Sequence, residues 1–177
     1  MDRQGEDAPR NSRVLGLTPP ALLLELLAAQ RWRHPGDDVM RKAIPWFADP
    51  LIFLTTLDYI RFNSQSLELL SDDAGLSELF RVKRGGTAGT VDLPWLDADR
   101  AFFIAVNRVP GDDVAIALDY RSDTTNPRVV ASDAWSTRQY TWRVIAPTLR
   151  SFADALGLLG DKPLPRFSPG EPGAPIP

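Results

Sequence analysis

The chain has 177 residues, a formal net charge of −3, 44% hydrophobic and 24% charged side chains, the make-up of one ordinary globular domain with appendages. It has no Cys and one His, His34, which excludes disulfide frameworks, thiolate metal sites, Cys nucleophiles and multi-His zinc centres. The acidic balance argues against a general nucleic-acid binder. No stretch has the ~20 apolar residues of a membrane span, and the charged segment from Met1 to Arg13 lacks the apolar core of a secretory signal. A cytoplasmic location is expected. The acids are 18 Asp against 5 Glu, and Asp favours caps and turns over helix interiors.

Taken in chain order, residues 1–14 read as a disordered N-terminus. Thr18-Pro19-Pro20 before Ala21 to Gln30 predicts a capped helix with Leu22, Leu23, Leu26 and Leu27 on one face. Pro35-Gly36 closes that stretch, and Asp37 or Asp38 can cap a short helix over Val39 to Ala43. Asp49-Pro50 repeats the cap-then-proline signature and predicts a helix using Leu51, Leu54, Leu57 and Ile60. Leu67, Leu69 and Leu70 extend it until Asp72-Asp73-Ala74-Gly75 breaks the run.

The period then changes. Leu79 to Arg84 alternates weakly and reads as an edge strand. Ala101 to Val106, Val114 to Tyr120, Arg128 to Ala131 and Tyr140 to Ile145 are apolar runs separated by turn residues, which predicts an antiparallel meander. Thr148 to Leu158 predicts a closing helix whose apolar face is Leu149, Phe152, Ala153 and Leu156. The expected class is α+β, with N-terminal helices, the meander sheet and the closing helix packed on it. One domain should span 15–160, with a helical insert at about 49–71 and a flexible Pro-rich tail over 161–177, where six of the 16 prolines fall.

Few residues suggest chemistry. Gly85-Gly86-Thr87-Ala88-Gly89-Thr90 resembles a phosphate-cradling loop, but the Lys and following helix that a P-loop needs are missing, so a surface loop is expected. Asp97 and Asp99, with Asp112 and Asp113, have the spacing of carboxylates that could hold Mg²⁺ or Mn²⁺ in an enzyme. The same acids are what turns before strands require. His34 at a helix end reads as a surface or dipole residue. Arg81, Lys83 and Arg84 read as charge guarding a sheet edge. Trp46, Trp95, Trp135 and Trp142 are expected in the core, with one or two able to anchor an interface.

The order of segments in the second half is informative. Gly111-Asp-Asp-Val-Ala-Ile-Ala-Leu-Asp-Tyr-Arg121, Pro127-Arg-Val-Val-Ala-Ser-Asp-Ala-Trp135 and Tyr140 to Leu158 follow one another. Together with the Leu-Gly-Leu-Thr-Pro-Pro start at Leu15 to Pro20, this series resembles the SUKH superfamily. That group holds the relatives of the yeast cell-wall assembly and killer-toxin-resistance regulator. The resemblance covers about Leu15 to Leu158 and departs from the family pattern in the helical insert and the tail. It implies an α+β fold, no catalytic residues and no cofactor. Many bacterial members of that superfamily bind and neutralise toxins, often nucleases, and others are regulators.

The expected function is therefore a non-enzymatic protein-binding module, an immunity protein whose partner is a toxin domain. A regulatory scaffold of the same family and a metal-dependent enzyme using Asp97, Asp99, Asp112 or Asp113 are the alternatives. The expected partner-binding residues are Asp97, Asp99, Asp112, Asp113, Asp123 and Asp133, an acidic rim on the turns of the meander. Complementary charge on such a rim would favour a basic toxin surface.

Overall fold

A computed structural model describes residues 13–86, 90–109 and 115–160. Helix α1 (Ala21–Ala28) buries Leu23 and Leu26, half of the predicted apolar face, while Leu22 and Leu27 pack beside the core. Ahead of it, Val14 is fully buried and bridges Leu17, so ordered structure begins before residue 15. Helix α2 (Asp37–Ala43) starts behind Gly36, with Asp37 and Asp38 in its first turn rather than capping it through a side chain. Two carboxylates there still favour the positive end of the helix dipole.

The segment after Asp49-Pro50 is not helical. Leu51–Phe53 forms strand β1, pairing antiparallel with Ala105 to Asn107. Leu51 and Phe53 are both buried while Ile52 between them is less so, the two-residue alternation of a strand. Proline removes only its own donor, so the cap-like pair Asp49-Pro50 suits an edge-strand entry as well as a helix start. The helix begins instead at α3 (Leu57–Ser64), where the Thr56 hydroxyl accepts the Tyr59 amide. Helix α4 (Ser66–Asp72) follows across Gln65. Asp73 then caps α5 (Ala74–Phe80) by accepting the Leu76 amide, so the predicted break is a helix start and the predicted strand from Leu79 is helix to Phe80. Arg81 leaves that helix in the left-handed region, and only Val82–Lys83 is strand (β2), running parallel to β3 (Leu96–Asp97).

The meander is present. Strands β4 (Ala101–Asn107), β5 (Ala115–Asp119), β6 (Arg128–Asp133) and β7 (Thr141–Ala146) pair consecutively and antiparallel, and β1 completes a five-stranded sheet in the order β1-β4-β5-β6-β7. Every residue of β5 is buried, as are all but the first of β6. Both faces of the sheet are therefore covered, which is why these strands read as continuous apolar runs instead of alternating ones. The register places Ile116, Leu118 and Val129 on one face with Phe53, where Trp32 lies 4.9 Å from Phe53 and 6.4 Å from Phe152. Phe103 and Trp142 stack on the other face, ring centres 6.2 Å apart.

Polar links at two positions of β4 fasten the surrounding segments to the sheet. β4 bulges between Phe103 and Ala105, and a bulge leaves backbone groups outside the ladder. Ser64 of α3, fully buried, accepts the Phe103 amide at 3.0 Å. The Ile104 carbonyl accepts from both the Leu54 amide and the Trp32 indole, each at 3.1 Å. The chain closes with α6 (Leu149–Ala155), whose Thr148 and Ser151 form a reciprocal capping box. Leu149, Phe152, Ala153 and Leu156 are all buried, and α6 packs on β6 and β7. Helices, antiparallel meander and closing helix make the α+β fold. The Pro-rich tail and residues 1–12 lie outside the described residues.

Candidate functional site

The acids expected to form a rim are mostly occupied within the fold. Asp97 is 2% exposed, and its Oδ1 accepts the amides of Gly85 (2.9 Å) and Asp99 (3.0 Å). Asp99 accepts the Gly86 amide at 3.0 Å and Arg84 at 3.2 Å. The amides at the start of the glycine-rich loop are thus held by carboxylates of this chain, the role a phosphate has in a cradle. Gly85 is required at that close approach, since a Cβ there would stand 2.2 Å from Asp97 Oδ2.

Asp133 is fully buried and accepts the Trp135 and Ser136 amides and, at 2.7 Å, Arg143. Burial pushes its carboxyl up, but these bonds outweigh burial and hold it below the ordinary value. Asp123 is exposed and folds back on Thr125 and Asn126, whose amides lower its carboxyl. Asp112 and Asp113 lie outside the described residues. A partner would therefore meet Asp123 and part of Asp99 directly. Asp97 and Asp133 lie inside, and what they offer outward is the arginines beside them, Arg100 and Arg143.

Asp119, absent from the predicted set, organises this end of the sheet. It is fully buried at the end of β5 and pairs across the ladder with Arg128 of β6. Arg121 grips both its oxygens through Nε and Nη2 at 2.8 Å each, and Arg128 Nε reaches Oδ2 at 2.8 Å. Arg121 Nη1 then spans to the carbonyls of Val91 and Trp95, both at 2.7 Å, tying the strand end to the 91–95 segment. Burial raises the Asp119 carboxyl, but the Arg121 and Arg128 bonds prevail and its pKa lies below the ordinary one. The sequence carries the pair as Asp-x-Arg, but Arg121 lies in the turn after β5, where strand alternation no longer fixes side-chain direction, so spacing alone does not reveal it.

Beside this pair lies a cleft of about 430 Å³ lined by Gly85, Gly86, Asp97, Arg100, Arg121 and Arg128 among others. A wider hollow of about 780 Å³ adjoins it through Arg100, Arg121 and Ser122. Arg100 reaches the Asp97 carboxylate only at 3.8 Å, and its side chain is 61% exposed.

A second surface has a different character. Ile60, Ser64, Leu67 and Leu70 turn inward from α3 and α4, whereas Phe62 and Leu69, seven residues apart, are each 70% exposed. Phe62 lies on α3, three residues after Tyr59 on the same side of that helix, and Leu69 lies on α4 beyond the break at Gln65, so each of the two helices leaves one large apolar side chain outside. Leu76 and Leu79 of α5 are exposed too. Between Leu57 and Phe80 the sequence has five carboxylates and one arginine, a local charge of −4 against −3 for the whole chain. Asp58, Asp72 and Glu78 are all largely exposed.

The remaining candidates are structural. His34 is partly buried; its Nδ1 accepts the Gly36 amide at 3.1 Å, its ring edge meets Phe53, and burial lowers its pKa. Arg81 bonds Gln139, Lys83 sits 3.6 Å above the Trp95 ring, and Arg84 pairs with Asp72 at 2.8 Å, so this basic cluster is engaged with its own surroundings. Trp142 is core. Trp46 and Trp135 are partly exposed, with Arg143 stacked 3.9 Å over Trp46 and Phe47 edge-on to Trp135 at 4.8 Å. Among the described residues no group of three or more His, Asp or Glu could hold a metal ion, and no helix is long and apolar enough to cross a membrane. No protein-family model, curated protein or solved structure matches the chain.

Proposed function

We propose that this protein acts by binding another protein, and that it is an immunity protein neutralising a toxin, as the resemblance to the SUKH superfamily implies. The observation that carries the reading is the outward face of α3 and α4. Phe62 on α3 and Leu69 on α4 are each 70% exposed on consecutive helices that bury Ile60, Leu67 and Leu70, and large apolar side chains left outside on adjoining helices support an interaction site. Exposed carboxylates share the same helices, Asp58 on α3 and Asp72 on α4, as the charged rim of an apolar centre would require.

The resemblance motivates the immunity role, and the exposed side of α3 and α4 supports a partner surface there. On this reading the predicted acids near the sheet turns serve mainly to hold loops and arginines in position, and Asp123 adds charge at the periphery. Where a toxin gene adjoins the gene for this chain, co-expression of the two tests the role: growth is restored if the reading is right. Complex formation without restored growth would replace immunity by a regulatory role, and absence of both would overturn the reading.

A further inference from the structure

The cleft beside Asp119 holds guanidinium donors that the fold does not use. Three guanidiniums line it, from Arg100, Arg121 and Arg128. Arg121 is consumed: its side chain is 7% exposed and all three of its nitrogens are bonded to Asp119, Val91 and Trp95. Arg128 is different. Its Nε meets Asp119 Oδ2, and its side chain is three-quarters buried at 25% exposure. Among the described residues its two terminal nitrogens have no acceptor, although a guanidinium presents a flat pair of donors suited to a carboxylate. Arg100 stands at the mouth, linked to Asp97 only at 3.8 Å.

The donors fix the kind of ligand. The lining and Asp119 behind it carry three guanidiniums, Arg100, Arg121 and Arg128, against three carboxylates, Asp92, Asp97 and Asp119, so the charges balance and leave nothing to hold a polyanion. What the cleft offers is the flat donor pair on Arg128, which matches the two oxygens of a single carboxylate. The volume of about 430 Å³ suits a small organic molecule rather than a bare ion. Ser122 and Thr90 add hydroxyls at the wall.

We propose that this cleft binds a small-molecule carboxylate, its two oxygens taken by the terminal nitrogens of Arg128 and by Arg100. Nothing in the partner-binding reading requires this site, and the two stand or fall separately. Asp119 is the positioning residue: by holding Nε of Arg128 it turns the free edge of the guanidinium toward the cleft.

The test is an NMR titration of the isotope-labelled full chain, following the arginine Nε–H signals. Acetate and inorganic phosphate are added in separate runs, with ionic strength held constant by chloride. Saturable shifts of the Arg128 signal with acetate are expected, with affinity weakened about tenfold or more in Arg100→Gln, read at Arg128, and in Arg128→Gln, read at Arg100, since each removes a charged hydrogen-bond donor. Arg100 is largely exposed, so Arg100→Gln reads out the site even if Arg128→Gln disturbs the fold. Linear shifts with acetate, equal affinity in the Arg100→Gln chain, or saturation by phosphate alone would each overturn the proposal.

Discussion

Arg121 turns back onto Asp119, two residues earlier in the chain, and places Nε and Nη2 at 2.8 Å from its two carboxylate oxygens. Neither side chain is more than 7% exposed. The pair shares its carboxylate with Arg128 and anchors the 91–95 segment through Arg121 Nη1. One buried charge pair thus joins the ends of β5 and β6 to a loop that no strand ladder holds.

Breaking that pair from one side should be costly. Arg121→Met removes the two-pronged partner of a buried carboxylate and leaves the Val91 and Trp95 carbonyls without their donor. Removing one member of a buried pair costs about 3–5 kcal/mol. Urea unfolding of the variant should show a loss of that order, and a loss below about 1 kcal/mol would contradict the structural role assigned to the pair.

The same carboxylate sets a pH dependence. The folded-state pKa of Asp119 is depressed by Arg121 and Arg128, so the unfolded chain binds its proton first as pH falls. Its contribution is fully present above the unfolded value of about 3.9 and is lost as pH drops through the lower folded value. Asp133 and Asp123 shift in the same direction. Stability measured from neutral pH down into the acid range, to about pH 2, should therefore fall below the unfolded carboxylate value. In Asp119→Asn the fall should be shallower while stability at neutral pH is already reduced. An unchanged acid slope in the variant would contradict this assignment.

Ser64 provides a test of how the helical layer is attached. Its hydroxyl is the acceptor for the Phe103 amide at the β4 bulge. Ser64→Ala leaves that buried N–H without a partner, which costs about 1–3 kcal/mol. Chemical denaturation should show this loss, and hydrogen exchange at Phe103 should quicken more than at the ladder amides of β5.

Gly85 tests the seating of Asp97. In Gly85→Ala the new Cβ would stand 2.2 Å from Asp97 Oδ2, so the carboxylate must move off the Gly85 and Asp99 amides. Forcing an extra carbon into a filled site costs about 1–3 kcal/mol. A thermal melt that matches the unsubstituted protein would mean that the loop relaxes away from Asp97.

The parts of the fold legible in the sequence were those where local and tertiary preferences agree. The apolar runs at β4, β5 and β6 are strands, and Thr148 with the spacing of Leu149, Phe152 and Leu156 announced α6. β1 was hidden because Asp49-Pro50 is compatible with either a helix start or a strand entry, and pairing with β4 decides between them. α5 was hidden because Asp73 looks like part of a break until its carboxylate is seen on the Leu76 amide.

At the site, the turn chemistry of Asp97, Asp123 and Asp133 was readable from residue type alone. The contrast between Leu69 and its neighbours Leu67 and Leu70 was not. All three are leucines in one run, yet the core takes Leu67 and Leu70 and leaves Leu69 outside. Only the direction from which α4 packs separates them.

If Phe62 and Leu69 face a protein partner, calorimetric titration of a toxin domain encoded next to this chain with the Phe62→Asp/Leu69→Asp chain measures it directly. Both residues are 70% exposed, so the double variant should keep its stability within about 0.5 kcal/mol. Its affinity should fall at least about a hundredfold, as expected when two anchoring side chains are lost from an interface centre. Affinity equal to that of the unsubstituted protein, with the fold intact, would mean that this surface does not meet the partner.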